Sequence, residues 1–117
     1  MGVMGQLAER RNGTVAFARQ VNWRGRSGRF YALTPERLDA FGLASGDLYL
    51  LALGGNVLWV GNANDVVNDA QSRSRFRLAL DCADRAFTVD APPDDLTRMT
   101  LVWDLEGAEP VTGLSAA

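Results

Sequence analysis

Apolar and polar residues follow two patterns typical of β-hairpins along this chain. Residues 14–23 alternate between apolar and polar, and residues 29–33 follow after a turn rich in Arg and Gly, which predicts a first hairpin. Two nearly continuous apolar runs, Leu48–Leu53 and residues 57–60, flank a Gly-Gly-Asn turn and predict a second hairpin. Because neither run alternates, we expect both strands to be covered on both faces and to lie at the centre of a sheet.

A short helix is predicted between the two hairpins. Thr34 is suited to cap a helix, and Pro35 is suited to its first position, where a missing N–H costs nothing. Leu38 and Phe41 would form its buried face, and Gly42 would end it.

A longer helical region is predicted after the second hairpin. It begins at Asn64 or Asp65 and is either continuous or broken near Ser72. Helical spacing places four residues on one buried face: Phe76, Ala79, Leu80 and Ala83. Cys82 lies on the same helix and is expected to be a small buried side chain.

The last third of the chain predicts one strand and one helix. The strand covers residues 86–90, and Pro92-Pro93 ends it. Asp94-Asp95 then caps a helix that stops at Gly107 and Pro110. Three large apolar residues share one face of this helix: Leu96, Met99 and Trp103. The element order is ββαββαβα, which predicts an α+β domain with helices packed on a small mixed sheet.

The chain has 117 residues, the length of a single domain, which we place at residues 13–110 between flexible segments at 1–12 and 111–117. No apolar run approaches the ~20 residues that span a bilayer, and residues 1–7 lack a signal-peptide pattern. We therefore expect a cytoplasmic protein without membrane contact. The sequence leaves the oligomeric state and the identity of any partner open.

The amino-acid composition excludes several classes of enzyme. The chain contains no His, one Cys and twelve basic residues, all of which are Arg. Catalytic triads that need an imidazole, Schiff bases that need a lysine and zinc sites built from His and Cys are therefore ruled out. We expect no cofactor, and we expect binding rather than catalysis.

The second hairpin and the residues after it resemble the start of the GIY-YIG nuclease domain. Tyr49 stands where the family's first motif has a tyrosine, and Trp59-Val60-Gly61 matches the second motif with Trp in place of Tyr. The resemblance implies a GIY-YIG-like core over about residues 47–110, with the first hairpin as an N-terminal extension. It also implies a catalytic arginine on the following helix and a metal-binding glutamate on the last one.

The residues that this family uses for chemistry are only partly matched. Asp69 falls near the position of the catalytic arginine, where a carboxylate would repel phosphate. Trp59 has no hydroxyl group and cannot act as a phenolate base. An active nuclease of this kind would use Mg²⁺ with the following residues: Tyr49, Arg73 or Arg77, and Glu106 or Asp104.

The first hairpin concentrates positive charge. Six arginines precede residue 30, with Glu9 as the single acid among them: Arg10, Arg11, Arg19, Arg24, Arg26 and Arg29. Such a ribbon can contact phosphates and bases, bind an acidic protein, or serve as a solvated edge that prevents strand addition. The predicted binding residues are Arg19, Trp23, Arg24, Arg26, Arg29 and Tyr31. The turn at residues 24–28 contains two glycines and is expected to be mobile when free.

Two further charged clusters each have two interpretations. Residues 72–77 include three arginines, which would bind phosphate at a helix start or pair with nearby Asp side chains; we favour pairing. Asp94 and Asp95 would hold Mg²⁺ or cap the last helix, and we favour the cap. We therefore expect no metal site.

Together these patterns predict a non-catalytic binding or regulatory module on a degenerate GIY-YIG-like scaffold. It would contact an anionic partner, either a nucleic acid or an acidic protein, through the first hairpin. One alternative is an active metal-dependent nuclease of the GIY-YIG type. Another is a structural component of a larger assembly, such as one of phage origin.

Overall fold

A six-stranded antiparallel sheet forms the centre of the described structure, with helices packed on it. The structure is a computed structural model that describes residues 19–44 and 46–111. Its strands are β1 (Val21–Arg24), β2 (Phe30–Glu36), β3 (Leu48–Leu53), β4 (Asn56–Gly61), β5 (Arg85–Val89) and β6 (Glu109–Pro110). Its helices are α1 (Ala63–Asn68), α2 (Ala70–Cys82) and α3 (Asp95–Glu106), with one 3₁₀ turn at Leu38–Ala40. This is the α+β architecture predicted from the sequence, but the sheet is antiparallel rather than mixed.

The strand order in the sheet is β4-β3-β5-β2-β1-β6. Strand β3 lies in the interior, since Tyr49 pairs with Gly61 of β4 on one side and with Thr88 of β5 on the other. The prediction that both strands of the second hairpin are central is therefore right for β3 and wrong for β4, which lies at the sheet edge. Residues 57–60 of β4 are nevertheless all apolar, because α2 and α3 both pack against this strand.

The two faces of the sheet carry separate cores, and β3 contributes to both by alternation. Leu48, Leu50 and Ala52 point into a cluster that includes Leu101 and Leu105 of α3. The intervening residues of β3 point into a second cluster on the opposite face, with partners from α2 and β4: Tyr49, Leu51, Trp59, Phe76 and Ala79. The continuous apolar run in β3 is thus explained by burial on both faces.

The prediction of a helix that starts at Thr34 is wrong. Thr34 and Pro35 continue β2 and pair with Thr88 and Phe87 of β5. Pro35 is tolerated because it lies beyond Leu33, the last residue of β2 that pairs with β1, so among the described residues β2 has only one neighbouring strand there. The only helical structure that follows before β3, within the described residues, is the 3₁₀ turn at Leu38–Ala40.

The helical region after the second hairpin is two helices. Asn62 caps α1 in a capping box, in which its side chain accepts the N–H of Asp65 and the Asp65 side chain accepts the N–H of Asn62. The break lies at Asp69, whose extended backbone ends α1 and whose side chain caps α2 by accepting the N–H groups of Gln71 and Ser72. A break was one of the two predicted arrangements.

The buried face of α2 is narrower than predicted. Ala79 is buried, and Phe76 and Ala83 pack against the same core. A face centred on Ala79 keeps these neighbours, three and four residues away, and turns Leu80 and Cys82 towards solvent. The prediction that Leu80 and Cys82 are buried is therefore wrong.

The predicted flexible segments at 1–12 and 111–117 lie outside the described residues, apart from Val111, and so do residues 14–18 of the predicted first strand. No helix in the described part of the chain is both long and apolar enough to cross a membrane.

Candidate functional site

The turn of the first hairpin folds against the C-terminal half of α3. Within the turn, the N–H of Gly25 donates to the carbonyl oxygen of Arg29 at 2.7 Å, and the N–H of Gly28 donates to that of Gly25 at 2.9 Å. Gly28 has φ +94°, a left-handed conformation that favours glycine. This compact turn is what brings the arginines of the hairpin next to α3.

Asp104 of α3 anchors the turn. Its carboxylate accepts the N–H of Ser27 at 2.6 Å, the hydroxyl of Ser27 at 2.7 Å and the hydroxyl of Tyr31 at 2.6 Å. Gly25 packs so closely that an added Cβ would lie 2.6 Å from the carboxylate. Asp104 is 4% exposed, and a buried carboxylate requires donors of this kind.

The hydrogen bonds shift the pKa values of both acidic groups in the anchor. Burial acts to raise the pKa of Asp104, but the hydrogen bonds from Tyr31 and Ser27 and the charge of Arg29 outweigh it, so this pKa lies below its ordinary value. Burial, followed by the bond to Asp104, raises the pKa of Tyr31 from 10.0 to about 12. Asp104 is therefore a carboxylate and Tyr31 a neutral donor at neutral pH.

Arg26 covers the end of α3. Its N–H donates to the carbonyl oxygen of Asp104 at 3.0 Å and its Nε to that of Trp103 at 3.1 Å. These are two of the last four carbonyls of the helix, which have no partner inside it. The guanidinium carbon lies 4.7 Å from the centroid of the Trp103 ring, a cation–π contact. Gly107 makes room for this side chain, because an added Cβ there would lie 2.9 Å from it.

An exposed apolar stripe continues from Trp103 along the outer face of α3. Leu96 is 74% exposed, Met99 61% and Trp103 52%. Their i, i+3, i+7 spacing places them on one side of the helix, opposite the buried Leu101 and Leu105. We call these three residues the α3 ridge.

Two clefts flank the α3 ridge. The hairpin cleft, about 520 Å³, has walls that include Arg29, Phe30 and Tyr31 from the hairpin and Thr100 and Trp103 from α3. The second cleft, about 370 Å³, lies on the side of α2 and β4 and is called the helix cleft. Its lining includes Trp59, Arg75, Arg98, Met99, Trp103 and Glu106.

The predicted binding residues do not all reach this surface. Trp23 is fully buried against Phe87, with ring centroids 5.6 Å apart, so its assignment as a binding residue is wrong. The alternation around Trp23 indicates a half-buried strand but does not say which side faces the core. Arg24 pairs with Glu109 of β6. Arg19 is exposed, and Arg29 lies over the ring of Tyr31, 5.4 Å from its centroid. The turn itself is tied to α3 by the bonds of Arg26 and Ser27, whereas the sequence predicts a turn that is mobile when free.

The residues expected for nuclease chemistry are only partly brought together. Trp59 and Glu106 line the helix cleft, together with Arg75 rather than Arg73 or Arg77. Arg73 donates to the carbonyl oxygens of Val66 and Val67 and so caps the end of α1. Tyr49 is buried, and its hydroxyl accepts the N–H of Ala44 and donates to Asp47.

The carboxylates considered as metal ligands have other roles or lie apart. Asp104 accepts hydrogen bonds from Ser27 and Tyr31 of the hairpin. Asp94 caps α3 by accepting the N–H of Thr97 at 2.9 Å. Arg98 lies 3.8 Å from both Asp65 and Asp95. Among the residues that the structure describes, no group of three or more His, Cys, Asp or Glu side chains is placed to hold a metal ion.

The sequence interpretation missed the role of Asp104 and the α3 ridge. A signal for the first was present, since Asp104 follows Leu101 by three residues and precedes Leu105, which places it on the buried face of an amphipathic helix. For the second, the helix has two apolar faces, and the pattern does not say which one packs on the sheet.

No family model matches this chain, and no match was found among the curated proteins or among the solved structures.

Proposed function

We propose that this chain is a non-catalytic binding module that contacts an anionic partner, a nucleic acid or an acidic protein, through the first hairpin and the adjoining α3 ridge. The observation that carries the proposal is the stacking of Arg26 on the exposed ring of Trp103. Arginine and tryptophan are the residues most enriched at interaction hot spots. Here they are held together before any partner arrives.

The charges around this stack favour an anionic partner. Arg26 makes no salt bridge within 4.0 Å to any described residue, and neither does Arg29. Both are exposed. Arg24 is partly neutralised by Glu109, so we assign it a smaller role than the sequence predicts. The three binding residues that remain on the surface with Arg26 are Arg19, Arg29 and Tyr31.

The proposal is tested by replacing the arginines of the turn. The double variant Arg24→Ala, Arg26→Ala should weaken binding to an anionic probe, such as a single-stranded oligonucleotide or an acidic peptide, measured by fluorescence anisotropy. The affinity of the wild type should fall with added salt, because exposed charges are screened within ~8 Å at physiological ionic strength. Arg77→Ala, on the exposed side of α2, is the matched control. Equal affinity of the double variant and the wild type would overturn the assignment of the hairpin as the contact site.

The alternative, a nuclease on a GIY-YIG-like core, has one observation in its favour. Trp59, Arg75 and Glu106 line both the helix cleft and a smaller neighbouring cleft of about 220 Å³. A cation and a carboxylate in one cleft are two of the groups that phosphodiester cleavage needs. The burial of Tyr49 and the capping role of Arg73 count against it. The GIY-YIG resemblance therefore remains a hypothesis about descent rather than activity.

A further inference from the structure

We infer that the partner of this surface is an acidic, amphipathic protein segment, and that Asp104 is the positioning residue that shapes the surface for it. This inference rests on the proposed function and narrows it to one class of partner. The surface combines a cation fixed against an aromatic ring with an apolar stripe on the same helix: Arg26, Trp103, Met99 and Leu96.

The α3 ridge favours a protein over a nucleic acid. Leu96 and Met99 offer flexible aliphatic surface, which buries well against other apolar side chains but has no phosphate or sugar counterpart. Their helical spacing matches the spacing of apolar residues on one face of a second helix. A nucleic acid would engage Arg26 and Trp103 and leave the other two side chains in water.

Charge on the two sides of the α3 ridge fixes how such a segment would lie. Arg26 stacks on Trp103 at the C-terminal end of the α3 ridge, and Arg29 lines the hairpin cleft together with Asp90. The helix cleft carries both signs of charge, with Asp65, Asp69 and Glu106 beside Arg75 and Arg98, and the side chain of Asp95 at the start of α3 is 92% exposed. A segment with carboxylates along one edge would therefore turn that edge towards Arg26 and Arg29, which make no salt bridge to any described residue, rather than towards the carboxylates of the helix cleft.

Asp104 acts through Arg26 rather than by touching the partner. It is buried, and its three accepted hydrogen bonds hold Ser27 and Tyr31, which belong to the same hairpin as the stacked arginine. Without this anchor the two glycines of the turn would allow Arg26 many positions. The partner would then have to order the turn on binding, which lowers affinity.

The test compares three synthetic peptides of equal length and one oligonucleotide by anisotropy. The first peptide carries Leu at helical spacing on one face and Glu along one edge of it. In the second, Ser replaces Leu, and in the third, Gln replaces Glu. The oligonucleotide is single-stranded with the net charge of the first peptide. We expect the first peptide to bind about tenfold more tightly than each of the other three probes.

Variants then locate the contact and the anchor. Met99→Ser and Arg26→Ala should each lower the affinity for the first peptide about tenfold. Leu78→Ser, which replaces an exposed Leu on α2, should leave this affinity unchanged. Ser27→Ala and Tyr31→Phe each remove one hydroxyl donor to Asp104 and keep its carboxylate. These two variants therefore test the anchor even if Asp104→Asn does not fold. Both variants should lower the affinity for the first peptide and raise the hydrogen-exchange rate of the Arg26 N–H.

The outcomes separate the two proposals. Tighter binding of the oligonucleotide than of the first peptide would overturn this inference and leave the proposed function standing. Equal binding of the Leu and Ser peptides would also overturn it, since the α3 ridge would then contribute nothing. If no probe binds, the proposed function fails together with the inference.

Discussion

Ser27 donates two hydrogen bonds to the side chain of Asp104, from its N–H at 2.6 Å and from its hydroxyl at 2.7 Å. The two residues are 77 positions apart in the chain, so this contact joins the first hairpin to the last helix. Because Asp104 is a buried carboxylate, its charge is stabilised by donors rather than by water. The contact therefore has consequences for both stability and the shape of the binding surface.

Replacing Asp104 with Asn should destabilise the protein by about 2–3 kcal/mol, the range for losing hydrogen bonds to a buried charged group. The amide keeps the shape but presents an NH₂ group where the carboxylate accepts from Ser27 and Tyr31. Urea denaturation measures the loss. Glu109→Gln, which removes an acid from an exposed ion pair with Arg24, is the matched control and should leave the free energy of unfolding nearly unchanged. Equal losses of stability in the two variants would contradict the role of Asp104 as the anchor of the turn.

Tyr31 should make the protein less stable at alkaline pH. Its pKa is about 12 when folded, against 10.0 for an unperturbed tyrosine. Because the folded state favours the neutral phenol, this contribution is fully present below pH 10 and is lost as the pH rises towards 12. The loss should be at most about 2 kcal/mol, because solvent screens part of the interaction. Denaturation at several pH values measures it, and Tyr31→Phe should remove the dependence that the wild type shows in this window.

Absorbance titration offers a second check on Tyr31. The chain has two tyrosines. Burial also raises the pKa of Tyr49, so neither phenol should ionise at the ordinary pH. A phenol that ionises near pH 10 in the wild type and disappears in Tyr31→Phe would contradict the hydrogen bond to Asp104.

What could be predicted from the sequence is what depends on neighbouring residues. The cap at Asp94 and the turn between β3 and β4 involve groups a few positions apart, and both are confirmed. The insertion of β5 between β3 and β2 could not be predicted, because it pairs Phe87 with Leu50 and with Pro35, which are far from it in the chain. Pro35 reads as a helix start locally, and the pairing with β5 overrides that preference.

The candidate site could likewise be predicted only in part. The excess of arginine in the hairpin is visible in the sequence, whereas the stacking of Arg26 on Trp103 depends on two segments meeting in space. The role of Trp23 could not be read from its neighbours, because either face of a two-stranded ribbon can pack on a core. The three-dimensional contact with Phe87 decides it.

Truncation of Trp59 should destabilise the protein much more than truncation of Trp103. Trp59 is buried, its Nε1 donates to the Ser72 hydroxyl at 3.3 Å and its ring packs against Phe76. Trp59→Ala should therefore cost about 3–5 kcal/mol of unfolding free energy. Trp103→Ala should cost about 1 kcal/mol, because it loses mainly the contact with Arg26. Chemical denaturation compares them, and a loss below about 1 kcal/mol for Trp59 would remove it from the core.

Purified protein should not cleave DNA or RNA in the presence of Mg²⁺ or Mn²⁺. Tyr49 is engaged by Ala44 and Asp47, and Arg73 caps α1, so neither is available for chemistry at the helix cleft. Incubation with labelled single- and double-stranded substrates tests this. Cleavage that is lost in Glu106→Ala but retained in Asp95→Ala would establish the nuclease alternative and overturn the expectation.

A single methyl group should be enough to displace the hairpin turn from α3. In Gly25→Ala, the added Cβ would lie 2.6 Å from the carboxylate of Asp104, a distance that forces the turn or the helix to shift. Gly42→Ala is the matched control, since its Cβ would meet nothing within 4 Å and its φ is not positive. We expect faster hydrogen exchange at the N–H groups of Arg26 and Ser27 in Gly25→Ala alone, together with lower stability. Unchanged exchange at both amides would mean that the turn tolerates the methyl group and that Asp104 does not hold it closely.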